Sequence, residues 1–135
     1  MQSHRGLVEA STDEWNRANL TGWLETFDPA IELRSSAAFP GLRPVYRGYD
    51  GLTEFWHAIH EPWESLRFDL QRFAEGDDWT VGEFRFRATG ASSGAQVDML
   101  FCNASRIQDG RFVEIVARRN FDEAVSSPVQ RGESA

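Results

Sequence analysis

Residues 97–107 read Val97-Asp98-Met99-Leu100-Phe101-Cys102-Asn103-Ala104-Ser105-Arg106-Ile107, and this run alternates with period two, the pattern of a β-strand. Its odd-numbered side carries Val97, Met99, Phe101 and Ile107, with Asn103 and Ser105 between them. Side chains on one strand face share one environment, so two hydrogen-bonding groups are carried into an apolar layer. Buried polar groups need partners, and where the layer lines a cavity a ligand can be the partner. The strand therefore predicts a curved sheet with a pocket on its inner side.

The rest of the chain supplies the other elements. Residues 7–19 have helical spacing, with Leu7, Val8, Ser11, Trp15 and Ala18 near one face; Ser11-Thr12-Asp13-Glu14 also has capping-box spacing, which offers Ser11 as an alternative start. Residues 20–27 form a second short helix with Leu20, Trp23, Leu24 and Phe27 at i, i+3, i+4, i+7, stopped by Asp28-Pro29. Residues 31–35 are a short strand, and residues 38–49, with two Pro and two Gly, form an irregular loop. A third helix starts near Asp50, a good cap, and ends at Pro62. Strands over residues 66–73, 79–89, 97–107 and 111–120 then form an antiparallel meander joined by turn-like links.

Reading Gln108-Asp109-Gly110 as a three-residue hairpin loop puts Ile107 opposite Arg111. Asn103 then faces Ile115, Phe101 faces Ala117 and Met99 faces Arg119. This sorts Asn103, Ser105, Val113, Ile115 and Ala117 onto the inner surface, with Arg119 at its end. The outer surface receives Asp98, Cys102, Arg106, Glu114 and Arg118, mixed with Leu100, Ala104 and Val116. A two-residue Asp109-Gly110 turn would set Asn103 beside Val116 and spoil the sorting, so the longer loop is expected.

The 135 residues suffice for one domain with a continuous core. We divide them into an N-terminal arm (residues 1–6), the domain (7–125) and a flexible tail (126–135). The net charge of -7, with Arg as every basic residue, excludes a nucleic-acid partner. The single cysteine, Cys102, excludes an internal disulfide and a multi-thiolate metal site. No apolar export segment follows Met1 and no eighteen apolar residues run together, so a cytoplasmic chain with no membrane partner is expected.

The order of elements resembles the NTF2-like superfamily and, within it, the SnoaL-like polyketide cyclase group. The residues carrying the likeness include Trp15-Asn16-Arg17-Ala18-Asn19-Leu20, Trp23-Leu24-Glu25-Thr26-Phe27-Asp28-Pro29, Phe39-Pro40-Gly41, Val45-Tyr46-Arg47-Gly48-Tyr49-Asp50-Gly51-Leu52, Phe55-Trp56, Glu61-Pro62-Trp63-Glu64 and Asp109-Gly110-Arg111-Phe112. They span about residues 7–125. The resemblance implies an α+β cone: a curved antiparallel sheet wrapped around three helices of the N-terminal half, with an internal pocket. Ketosteroid isomerases share this fold. Position by position, their catalytic Asp matches Ser35, their helix Tyr falls near Ser11, and their protonated Asp matches Asn103, where many SnoaL-like relatives carry His. Where such relatives often end in Tyr-x-Asp, this chain has Arg118-Arg119-Asn120. Neither Ser35 nor Asn103 titrates near neutral pH, so the isomerase mechanism does not carry over.

The residues assigned to chemistry are Asn103, as an amide that polarises a carbonyl or holds an enolate, with His60 and Ser35. The residues assigned to the pocket are Trp15, Phe27, Tyr46, Trp56, Phe84, Phe86, Met99, Phe101, Ser105 and Arg119, the last as an anion clamp. His57 and His60, followed by Glu61 and Glu64, have metal-binding spacing but read as a solvated helix flank, so neither metal nor cofactor is expected. The expected partner is a small hydrophobic, polyketide- or steroid-like molecule that the protein binds, or isomerises or cyclises. The alternative is a non-catalytic binding or dimerisation module. The mixed apolar and charged outer sheet face predicts a homodimer through that face.

Overall fold

The computed structural model describes residues 3–35 and 41–127. Residues 38–40 of the expected loop, and the expected tail beyond residue 127, lie outside them. Ser3 caps the first helix, α1 (His4–Asn16), its hydroxyl accepting from Gly6 N at 2.9 Å. The helix thus begins ahead of both starts read from the sequence. Residues 4–6 belong to it rather than to an arm, and Ser11 lies buried in its interior. Helix α2 (Leu20–Leu24) is shorter than expected. Phe27 instead opens strand β1 (Phe27–Arg34), where Asp28 Oδ1 accepts from Ala30 N at 2.8 Å beside Pro29. Proline donates no ladder bond, and β1 is irregular there: its pairing shifts between Phe27 and Glu32.

The end of the expected irregular loop is ordered as strand β2 (Val45–Arg47), and helix α3 (Gly48–His60) starts two residues before Asp50. Strands β3 (Trp63–Glu75), β4 (Trp79–Gly90), β5 (Gln96–Gln108) and β6 (Arg111–Arg118) follow as the antiparallel meander. The six-stranded sheet has the order β2-β1-β6-β5-β4-β3. One pair departs from the expected pattern, because β1 runs parallel to β6. The α+β architecture with a curved, open sheet is otherwise the one the sequence predicts.

The β5–β6 hairpin corrects the register. Asp109 and Gly110 have φ of 53° and 76°, and Gln108 pairs with Arg111 across a two-residue turn. Ile107 pairs with Phe112, but Arg106 pairs with Glu114, so Val113 is an unpaired bulge residue. The bulge flips the parity that the short turn had reversed. Asn103 therefore lies opposite Ala117 and Ser105 opposite Ile115, two residues from the expected pairing but on the same face. Met99 faces Phe86 of β4, and Arg119 lies beyond the end of β6.

A fourth helix, α4 (Phe121–Ser126), was not legible in the sequence pattern. Asn120, assigned to the last strand, caps it by accepting from Glu123 N at 2.8 Å. The helix lays Ala124 on Val81, Ala104 and Val116 of the outer sheet face, with Trp79 and Phe121 packed beside them. Most of the apolar outer positions assigned to a dimer interface are thus covered by the chain itself. The main core lies on the opposite face, between the sheet and α1 to α3, with Trp15, Trp23, Phe27, Ile31, Leu52 and Trp56 at its centre.

Candidate functional site

The inner face of the sheet and α1 leave a cavity of about 140 Å³. Its walls are largely aromatic: Trp15 and Trp23 from the helices, Phe27, and Phe68, Phe84 and Phe101 from the sheet. These rings hold one another in place. Trp15 stacks on Phe68 at 4.9 Å between centroids and tilts against Trp23 at 5.1 Å, and Phe84 stacks on Phe101 at 5.3 Å. Gly82 faces Asn103 across the β4–β5 ladder. A Cβ at Gly82 would lie 2.8 Å from the Phe84 ring, so the glycine is what lets that ring lie against the strand.

Six hydroxyl or amide side chains share the lining: Ser11 and Thr12 from α1, Ser35 just after β1, Thr80 from β4, and Asn103 and Ser105 from β5. Thr80 and Ser105 are cross-strand neighbours. Ser11, Thr80 and Ser105 are buried, yet their hydroxyls have no hydrogen-bond partner among the described residues, and neither has the Asn103 amide. The neighbouring Thr12 is different, for its hydroxyl donates to Val8 O at 2.8 Å. Ser11, Thr80, Asn103 and Ser105 are also not sealed by packing, as Trp15 Nε1 and Glu114 Oε2 are. They present donors and acceptors to the cavity space. At the rim the half-exposed Arg34, Ser35, Leu42 and Arg118 mark its open end.

Of the residues assigned from sequence, Asn103, Ser105, Trp15, Phe27, Phe84 and Phe101 line the cavity. Ser35 lines it too, but its hydroxyl donates to Arg43 O, which takes it out of chemistry. The other assigned residues stand elsewhere. Trp56 packs behind Trp15 and Trp23, with centroids at 5.2 and 5.3 Å. Tyr46 is buried against Phe55, its hydroxyl accepting from Arg43 N at 2.9 Å. Phe86 packs against Trp63 and Phe68, past the lined part of the sheet, and Met99 pairs with it there. Arg119 is 83% exposed and bridges Glu123 at 3.1 Å, one turn along, so it clamps nothing in the cavity.

His60 is the most consequential correction. Its ring stacks on Trp56 at 3.9 Å and lies 4.3 Å from Trp15. Nδ1 is 3.0 Å from Trp56 O, Nε2 is 3.4 Å from Trp15 O, and the residue does not line the cavity. Burial lowers its pKa, outweighing the two carbonyls that favour the charged form. His60 is a neutral packing residue behind the aromatic wall. Cys102 is buried as well, and burial pushes its thiol up to about 11, leaving it protonated and unreactive.

Sequence reasoning missed Thr80, Gly82, Trp23, Phe68 and Phe112 as lining residues, and assigned Ser11 to packing or capping. Thr80 and Gly82 carried a usable signal, since they share the even-numbered face of β4 with Phe84. Among the described residues no cluster of three or more His, Cys, Asp or Glu could hold a metal ion. No described helix is long and apolar enough to cross a membrane.

The sequence profile of the SnoaL-like domain matches residues 8–115. No curated protein matches the chain. Among solved structures, it is similar to an NTF2-like protein of unknown function from Burkholderia pseudomallei K96243, with 20% identity, 96% of this chain and 100% of that one covered, and a TM-score of 0.78. It is also similar to TerC, co-crystallised with polyporic acid (19% identity, 90% and 96% covered, TM-score 0.75). A third similar structure, described as a candidate polyketide cyclase from Xanthomonas campestris pv. campestris, has 14% identity, 90% and 93% covered and a TM-score of 0.71.

Proposed function

The chain belongs to the SnoaL-like domain family, and from that premise we propose that it binds a small hydrophobic molecule in its internal cavity. The observation that carries this reading is the lining itself, stacked aromatic rings around four neutral polar groups with no partner among the described residues. These groups open onto the cavity, where a ligand can replace their hydrogen bonds to water with its own while its apolar surface is buried against the rings. TerC, of similar fold, was co-crystallised with polyporic acid, which supports reading the fold as one that takes small molecules.

The size of the cavity limits the polyketide- or steroid-like expectation. An engineered apolar cavity of about 150 Å³ holds benzene, so about 140 Å³ receives one ring. A larger compound would insert one ring and leave the rest at the Arg34–Arg118 rim. Proton transfer is the weaker reading, because hydroxyls and an amide do not titrate near neutral pH and His60 stands outside the lining. Asn103 can still polarise a carbonyl, which orients a ligand without turning it over.

The test is a fluorescence titration, since Trp15 and Trp23 line the cavity and report directly on an inserted ring. Single-ring compounds and compounds with one protruding ring should bind saturably. Failure of every hydrophobic compound in a panel graded by ring number would end the reading.

Pairing of two copies is a second proposal. On the part of the outer sheet face that α4 leaves open, Leu100 is 56% exposed beside the Arg85–Asp98 pair at 2.8 Å and the Arg87–Asp69 pair at 2.7 Å. Apolar surface laced with opposite charges suits a two-fold interface, with about 1,200–2,000 Å² buried in total. A cytoplasmic location is part of the same proposal, resting on the single cysteine kept as a buried thiol.

A further inference from the structure

We propose that the ligand is a neutral, single-ring aromatic compound with two oxygen substituents set meta or para, one held by Asn103 and the other by the Thr80–Ser105 pair. The inference rests on the binding reading above and adds the chemistry of the occupant.

Asn103 and Ser105 stand two residues apart on one face of β5, roughly 6.7 Å along the strand. Thr80 lies directly across from Ser105 and adds a second hydroxyl at that end, while Gly82, directly across from Asn103, adds no side chain at all. The polar groups on the sheet therefore fall into two separate positions, an amide at one end and a hydroxyl pair at the other. Phe84 and Phe101, stacked at an interplanar angle of 16°, form the next row of the sheet beyond Asn103, and the bare Gly82 lets the Phe84 ring lean back toward the amide. A flat ring laid over Gly82 and bordered by that pair reaches both positions through oxygens on non-adjacent ring carbons. Oxygens on adjacent carbons reach only one.

The neutral character follows from the same groups. Hydroxyls and amides donate and accept, so they suit a phenol, an ether or a carbonyl equally well. A carboxylate or ammonium carried into this lining would lose its hydration with no opposite charge from Ser11, Thr80, Asn103 or Ser105, and the two arginines at the rim are already engaged, Arg34 with Glu32 at 3.5 Å and Arg118 with Ser127 O at 3.1 Å. The volume allows one ring only.

The experiment compares benzene, phenol, catechol, resorcinol and hydroquinone by calorimetric or fluorescence titration of the full chain, with hydroquinone kept under argon. Resorcinol and hydroquinone should bind about two- to tenfold tighter than phenol, the worth of one neutral hydrogen bond. Catechol should bind no tighter than phenol. Asn103→Leu, and separately Thr80→Val with Ser105→Val, should each bring hydroquinone down to the affinity that the native protein has for phenol. Thermal melts check that the variants fold, and either one suffices. Equal affinity for benzene, phenol and the diols would overturn the inference and leave the binding reading standing. Catechol matching hydroquinone would likewise overturn the two-position geometry. No saturable binding by any of the five would overturn both.

Discussion

Replacing Ser105 with valine separates a cavity from a closed core. The residue is 6% exposed, sits in the middle of β5, and its hydroxyl has no hydrogen-bond partner among the described residues. The substitution exchanges the hydroxyl for two methyl groups, worth about 1.6 kcal/mol at roughly 0.8 kcal/mol per buried group. Against this stands the loss of whatever hydrogen bond the hydroxyl makes to cavity water, about 0.5–1.5 kcal/mol. Valine also suits a strand. The expected result is a protein between unchanged and about 1 kcal/mol more stable, read from the urea midpoint with the slope unchanged. If Ser105 were instead hydrogen-bonded in a packed core, the same change would cost about 1–3 kcal/mol through an unpaired partner and overpacking. A loss above about 1 kcal/mol would refute the reasoning.

Three other perturbations follow from the geometry. Ala124→Asp places a carboxylate against Val81, Ala104 and Val116; α4 should undock at a cost of about 1–3 kcal/mol, seen as faster amide exchange in residues 121–127 with the meander still protected. Lowering the pH from 7 to 5 should reduce the melting temperature, because His60 is held below its ordinary pKa of 6.5 in the fold and the unfolded chain takes up the proton first. His60→Gln should remove that part of the pH dependence and leave the separate loss below pH 4, where Asp69 and Asp98 with their lowered pKa values are protonated; an unchanged slope between pH 7 and 5 would show that His60 is not the group. Leu100→Glu should convert a dimer to a monomer in sedimentation at tens of micromolar protein, whereas a native protein already monomeric there would remove the pairing proposal.

The architecture was legible because its signals are repeated along the chain. Period-two runs with turn residues between them produced the meander, and the alternation of β5 alone placed Asn103 and Ser105 inward. The pairing of β5 with β6 was read two residues out of step, because periodicity does not reveal the extra residue at Val113. Face assignment survived since a shift of two preserves parity. The short turn rejected on sorting grounds is the one the chain uses, and the bulge repairs the sorting.

Other misses have equally specific causes. Helix α4 is only six residues long, too short for a periodic signal, although Asn120 followed by Asp122 and Glu123 has the composition of a capped first turn. Its absence from the reading made Ala104 and Val116 look like uncovered surface. Trp56, Tyr46 and Phe86 were assigned to the pocket on residue type, but an aromatic side chain in this core can lie behind the wall, as Trp56 and Tyr46 do, as well as in it. Which of them borders empty space is decided by how the rings stack, a property of the packed whole rather than of any local pattern.

The central claim is that a small aromatic molecule enters the space between α1 and the inner sheet face. A crystal of the protein soaked with phenol tests it most directly. The account predicts a ring in density against Phe84 and Phe101, with its oxygen within hydrogen-bonding distance of Asn103, or of Thr80 and Ser105. An unchanged interior, with the side chains of Ser11, Thr80 and Ser105 closed onto one another and phenol found only on the surface, would contradict it.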